Sequence, residues 1–168
     1  MQQLFKKIDK TVFTIAAAVS GLSFVTIVLL ITMNVIARKA FSTSYAWAEE
    51  ISYICFTWMT FFGAVLVYSK RGLIAIDVLV NHLPRKGRRI TQIVTEALIL
   101  VTNICLIVWG MTQVLQTNRI TSNLKIPYRF VYLGMVLAFL FLGYYSVKFL
   151  IMGIQGKELE ESSLEDRA

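Results

Sequence analysis

No charged residue occurs between Val12 and Ala37. A helix that crosses a bilayer needs about 20 mostly apolar residues, and this run exceeds that length. Three further runs follow at Ile51–Tyr68, Ile90–Gln116 and Phe130–Ile154, the second of these carrying Glu96 near its start. None alternates polar and apolar residues with a period of two, which argues against a membrane β-barrel. Backbone polar groups left unpaired in hydrocarbon are costly, so helices are the remaining solution. The sequence predicts an all-α membrane protein with four transmembrane helices, over about 12–37, 44–68, 88–116 and 127–154. Together they make one transmembrane domain, residues 1–155.

Composition agrees: 57% of the residues are hydrophobic and 16% charged, the reverse of a disordered balance. The net charge of +7 raises nucleic acid as a partner, but the placement of the cations argues against it. They cluster at span ends, as membrane orientation requires. If the N-terminus is cytoplasmic, an even number of spans returns the C-terminus to the same side. Lys6, Lys7, Lys10, Lys70, Arg71, Arg85, Lys86, Arg88, Arg89, Lys148 and Lys157 then lie inside, against Arg38, Lys39, Arg119, Lys125 and Arg129 outside. The positive-inside rule therefore predicts that both termini are cytoplasmic. Lys6 and Lys7 give the start the look of a signal n-region. The apolar run behind them is too long for a signal core, so it reads as an uncleaved anchor.

Two connections are more than turns. Between the first and second spans, from Arg38 to Glu50, Ser44 is a candidate helix N-cap. A helix starting there sets Glu49 and Glu50 near its N-terminal end, where the helix dipole favours carboxylates. Trp47 then falls at headgroup level, with Tyr128 and Tyr132 at the same interface on the last helix. Pro127 suits the first position of that helix. Between the second and third spans, Gly72–Leu83 is apolar but too short to cross. Asp77 and Asn81 share one helical face there, and Leu73, Ile76, Leu79, Val80 and Leu83 cover most of the rest. This predicts a short amphipathic helix lying in the interface, ended by Pro84. Arg85, Lys86, Arg88 and Arg89 then meet phospholipid headgroups. Residues 156–168 form an acidic cytoplasmic tail.

No constellation of catalytic residues is recognisable. The sole histidine, His82, sits in a connection, so neither a haem clamp between helices nor a three-ligand zinc site is available. Cys55 and Cys105 fall inside separate spans and form no C-x-x-C pair. The chain reads as a non-enzyme with no cofactor and no metal. A transport pathway within the chain alone is also hard to place, because midplane sites use broken helices and ionisable groups. The central thirds of the spans carry no formal charge and no span contains an interior proline. Glu96 lies about two turns deep, within reach of a basic residue at the cytoplasmic end. It is the group on which a stand-alone oligomeric exporter would depend. Asn103 and Thr102 can be satisfied by neighbouring helices, and Ala17/Gly21 and Gly134/Ala138 offer close helix contacts.

Several stretches resemble one family. Ser44-Tyr45-Ala46-Trp47-Ala48-Glu49-Glu50, followed by Thr57-Trp58-Met59-Thr60-Phe61-Phe62-Gly63-Ala64, is similar to a tryptophan–x–Glu–Glu motif that leads into an aromatic span. Asn34 and Arg38 precede it. Arg71-Gly72-Leu73-Ile74-Ala75-Ile76-Asp77 matches a basic–glycine connection, with Leu73 where histidine is frequent. Leu124-Lys125-Ile126-Pro127 and Tyr132 match the approach to the last span. Over about Ile8–Gly153 the chain resembles the small, DctQ-like membrane subunit of tripartite ATP-independent periplasmic (TRAP) transporters.

The resemblance implies a non-catalytic subunit in the bacterial inner membrane that scaffolds a large multi-span subunit. That larger partner imports an organic acid with a sodium gradient, after a periplasmic binding protein captures the cargo. Sialic acid is favoured as cargo and a C4-dicarboxylate comes next. Arg38, Trp47, Glu49, Glu50, Arg71 and Asp77 are then expected at the subunit interface, Glu49 and Glu50 pairing with Arg38, Arg129 or cations of the partner. Lys39, Arg119 and Lys125 are expected to face the binding protein.

Overall fold

A computed structural model describes residues 2–70 and 85–155. They form four helices: α1 (Gln2–Phe41), α2 (Ala46–Ser69), α3 (Arg85–Gln116) and α4 (Arg129–Gln155). Each is long and apolar enough to cross a membrane, and no β-strand occurs among the described residues. The amphipathic helix expected over Gly72–Leu83, with Arg71 and Asp77, lies outside the described residues, as does the acidic tail.

Hydropathy locates what can sit in lipid, and the helices run beyond it. The 40 residues of α1 extend about 60 Å at 1.5 Å per residue, twice a hydrocarbon core of about 30 Å. The connection expected from Arg38 to Glu50 shrinks to residues 42–45. Ser42 turns the chain there through a left-handed backbone (φ 51°), a conformation that ends a helix because it cannot continue one. Two further local expectations are corrected. The N-cap of α2 is Tyr45, with no side-chain cap bond, so Ser44 does not cap. The Tyr45 N–H is taken by another helix, as described below. Pro127 precedes α4 by two residues and bridges to Ile120, its carbonyl accepting from the Phe130 N–H at 3.2 Å.

The helices stand in the order α1, α2, α4, α3, each packed mainly on its neighbours in that row. Burial decides which is central: 44% of the apolar window of α4 is buried, against 11–17% of the others. Ala16, Phe62, Val65, Tyr68, Ala138, Tyr145 and Phe149 form the core. α2 and α4 run parallel through an aromatic seam, Phe61 on Phe139 at 5.4 Å, Phe62 on Phe141 at 5.9 Å and Tyr68 on Phe149 at 5.5 Å.

Helices in lipid gain nothing from hiding apolar surface, so close packing and interhelical hydrogen bonds hold them together. Every neighbouring pair has such a tie. Ser20 donates to the Met59 carbonyl at 3.3 Å, joining α1 to α2. Trp58 Nε1 donates to the Phe130 carbonyl at 3.1 Å, joining α2 to α4. The indole lies where Gly134 leaves room: a Cβ on Gly134 would stand 2.8 Å from Trp58 Cδ1 and closer still to Nε1 and Cε2. Asn103 Nδ2 reaches Ser146 Oγ at 3.5 Å, joining α3 to α4. At the end where α1 begins and α4 finishes, Asp9 of α1 pairs with Lys148 of α4 and accepts from the Tyr144 hydroxyl at 2.9 Å. The opposite end carries the two short connections and is called the hairpin end.

Candidate subunit interface

At the hairpin end the last turns of α1 meet the first turns of α2. Asn34 is buried, and its Oδ1 accepts the Tyr45 N–H at 2.9 Å. A side chain from α1 thus accepts the backbone N–H of the residue that caps α2. One turn further along, the Arg38 guanidinium lies 3.7 Å from the Glu49 carboxylate and donates to Ser44 Oγ at 3.5 Å. Both charged side chains are about two-thirds exposed (63% and 64%). A pair so exposed contributes well under about 1 kcal/mol to the fold, so its main consequence is to present two opposite charges on one surface. Trp47 is 37% exposed, its ring 6.0 Å from that of Tyr45.

Below this pair a groove of about 410 Å³ opens between α1 and α2. Ile27, Ile31, Val35, Tyr53 and Phe56 make its walls, and Asn34, Arg38, Glu49 and Ser52 supply its polar lining. The groove leads onto a face of α1 on which Phe24, Ile31 and Val35 are 56%, 51% and 53% exposed.

Glu50 faces the other way. Its carboxylate accepts the Asn123 N–H at 2.8 Å, the Asn123 Nδ2–H at 3.0 Å and the Leu124 N–H at 2.9 Å. It therefore holds the α3–α4 connection, where sequence reasoning placed it against a cation. Arg129, one of the expected partners, donates to the Thr117 carbonyl and to Asn118 Oδ1, both at 3.0 Å. The connection is itself a tight turn: Thr121 N–H bonds the Ile126 carbonyl at 2.9 Å, Tyr128 N–H the Arg119 carbonyl at 3.0 Å, and Ile126 N–H the Thr121 hydroxyl at 3.0 Å. Arg119 and Lys125 are exposed on it, and Lys39 is exposed in the last turn of α1. The structure thus brings Arg38 and Glu49 together and joins Glu50 to the turn bearing Arg119 and Lys125.

Sequence reasoning missed a second polar cluster nearer the other end. The Tyr68 hydroxyl donates to the Glu96 carboxylate and lies 3.0 Å from the fully buried Ser146 Oγ, which Asn103 also contacts. Glu96, expected to look for a cation, is thus engaged by a phenol from α2. The polar residues Tyr68, Asn103 and Ser146 inside apolar spans were the available signal, but only the packing shows that they meet.

The architecture defines a multi-pass helical membrane protein. A profile of the family described as "Tripartite ATP-independent periplasmic transporters, DctQ component" matches residues 27–156. A TRAP transporter small permease protein of Haemophilus influenzae is 30% identical over 162 residues, covering 95% of this chain and 94% of that one. The C4-dicarboxylate TRAP transporter small permease protein DctQ of Vibrio cholerae is 31% identical over 104 residues, 59% of this chain and 45% of that one. A segment of the sialic acid TRAP transporter permease protein SiaT of Haemophilus influenzae is 25% identical over 91 residues, 54% of this chain and 15% of that protein. The chain belongs to the DctQ family of TRAP transporter small permease subunits, and is a transport component rather than an enzyme.

Proposed function

We propose that this subunit scaffolds a larger permease subunit in the inner membrane and helps a periplasmic binding protein deliver an organic acid to it, with import driven by sodium. Both termini are cytoplasmic in this reading, as the distribution of lysine and arginine between the two ends favours. The hairpin end is then periplasmic. The large subunit meets the α1–α2 face through Arg38, Trp47 and Glu49, with Arg71 and Asp77 contributing from the connection between α2 and α3. Lys39, Arg119 and Lys125 offer positive charge to the binding protein. The amphipathic connection and its basic flank contact phospholipids.

The observation that carries the reading is the groove between α1 and α2, with an exposed Arg38–Glu49 pair at one end and an exposed apolar helix face beside it. Two opposite charges flanking an apolar cleft suit a partner helix that ends at the same depth. Relatives whose names specify sialic acid and C4-dicarboxylate make these the first cargoes to try, sialic acid before the other.

The test is reconstitution. The subunit would be placed in proteoliposomes with its co-expressed large subunit and given the binding protein encoded beside them. Uptake of N-acetylneuraminate and of succinate would be followed with and without an inward sodium gradient. Uptake of either that requires the gradient, the binding protein and this chain supports the proposal. Uptake that is unchanged when this chain is left out contradicts it.

A further inference from the structure

The turn between α3 and α4 is strained where it carries its charge. Lys125 holds a left-handed backbone conformation (φ 56°), which is uncommon for a side-chain-bearing residue and persists only where surrounding structure over-determines it. Lys125 and Arg119 are exposed, and so are two apolar side chains of the same turn, Ile120 (52%) and Leu124 (38%). Exposed cations beside exposed apolar groups on a fixed turn are the elements of a protein-docking surface, with charge complementarity selecting an acidic partner face. What fixes the turn comes from elsewhere in the chain. Glu50, more than seventy residues earlier, accepts both N–H groups that immediately precede Lys125, at 2.8 and 2.9 Å, and the Asn123 side chain at 3.0 Å. Thr121 closes the turn from within, accepting the Ile126 N–H.

From this geometry we infer that Glu50 is a positioning residue. It does not meet another subunit but holds the 119–127 turn in the strained form that presents Arg119 and Lys125 to an acidic face of the periplasmic binding protein. The inference rests on the docking reading above and adds to it the residue on which docking depends. Without the carboxylate, Asn123 and Leu124 lose their acceptor and Lys125 relaxes from its left-handed conformation. The cations remain but are no longer held in one arrangement. Such a loss weakens capture of the binding protein and leaves the transport step itself unaltered.

The experiment titrates the cognate binding protein against proteoliposomes containing the complete membrane complex and reads half-saturating concentration separately from maximal uptake. Glu50→Ala is expected to raise the half-saturating concentration at least about fivefold, a loss of the size that interface truncations commonly cause. Maximal uptake and the yield of complex should stay within about twofold, a change too small to signal a lost interface contact. Glu50→Asp, which keeps the charge on a shorter arm, should recover part of the loss. An unchanged half-saturating concentration in Glu50→Ala overturns the inference. The double variant Arg119→Glu/Lys125→Glu tests the reading beneath it. If that variant weakens capture while Glu50→Ala does not, docking at the turn stands and the role of Glu50 falls. If reversing both charges has no effect, the docking reading fails and the inference with it. Should Glu50→Ala prevent assembly, Glu50→Gln is read in its place. Loss of the complex in both variants would make Glu50 an assembly residue and also overturn the inference.

Discussion

Gly134→Ala should be among the most damaging single-methyl additions available to this chain. The added Cβ would stand 2.8 Å from Trp58 Cδ1 and nearer to two other indole atoms, well inside van der Waals contact. The indole is tied in place by its neighbours. Its Nε1 is bonded to the Phe130 carbonyl at 3.1 Å, and Phe62 lies 6.1 Å from it on the same helix. Either α4 moves off α2 or Trp58 leaves its site and breaks the hydrogen bond. Overpacking of this kind costs about 1–3 kcal/mol, and a lost interhelical hydrogen bond in a membrane protein adds about 0.6–1.7 kcal/mol. Together they predict a loss of about 2–5 kcal/mol, or a fall in unfolding midpoint of roughly 5–20 °C for a chain of this size. Thermal unfolding in detergent micelles, followed by tryptophan fluorescence, reads this directly. The comparisons are internal. Gly21 has open space where its Cβ would go, so Gly21→Ala should be neutral or slightly stabilising, since alanine is the better helix former by up to about 1 kcal/mol. At Gly110 the obstacles are a Val136 methyl at 2.8 Å and the end of Met135 at 2.9 Å. Methionine adapts readily, so the cost there should fall between the other two. Trp58→Phe should recover part of the Gly134→Ala loss. If Gly134→Ala proves as stable as Gly21→Ala, the close approach of α2 and α4 is wrong.

The Asp9–Lys148 and Arg38–Glu49 pairs should behave differently. Asp9 and Lys148 are 25% and 27% exposed, so a double-mutant cycle with Asp9→Asn and Lys148→Met should give a coupling of about 1–2 kcal/mol. Arg38 and Glu49 are about two-thirds exposed, so the same cycle in the isolated subunit should give less than about 0.5 kcal/mol and fade with added salt. Equal couplings would contradict the burial difference. In the inner polar cluster, Tyr68→Phe removes the hydroxyl that touches both Glu96 and Ser146 and should cost more than Ser146→Ala. Each loss should fall within about 0.6–2 kcal/mol by unfolding in micelles, and the reverse order would place Ser146 at the centre of the cluster.

Much of the architecture is legible in the sequence because one physical requirement dominates it. Hydrocarbon leaves a chain only apolar helices, and four such runs are visible by eye. Where a helix ends is decided by other forces. The first span is expected to start near residue 12, yet α1 reaches back past Asp9, which finds Lys148 and Tyr144 on α4. Ser44 has the chemistry of an N-cap, but the Tyr45 N–H goes to Asn34, a partner that local pattern cannot reveal. The pairing of Glu49 with Arg38 could be anticipated, because a turn of four residues brings the two helix ends together and the charges are opposite. Its neighbour Glu50 could not be assigned in the same way. A carboxylate can accept from a lysine, an arginine or any backbone N–H, and its acceptance from Asn123 and Leu124 follows from α2 and α4 packing in parallel. The cluster of Tyr68, Glu96, Asn103 and Ser146 follows the same logic: each residue is unremarkable alone, and helix order makes the site.

If the chain is one part of a larger permease assembly, it should copurify with that assembly. The tagged subunit would be expressed in a bacterial membrane with its neighbouring open reading frames, extracted in mild detergent, and its partners identified and counted. A stable one-to-one complex with a large multi-span protein is expected, weakened when a bulky charged residue is placed in the α1–α2 groove at Ile31. A subunit that purifies alone as a defined homo-oligomer, with no large partner under any extraction condition, would contradict it.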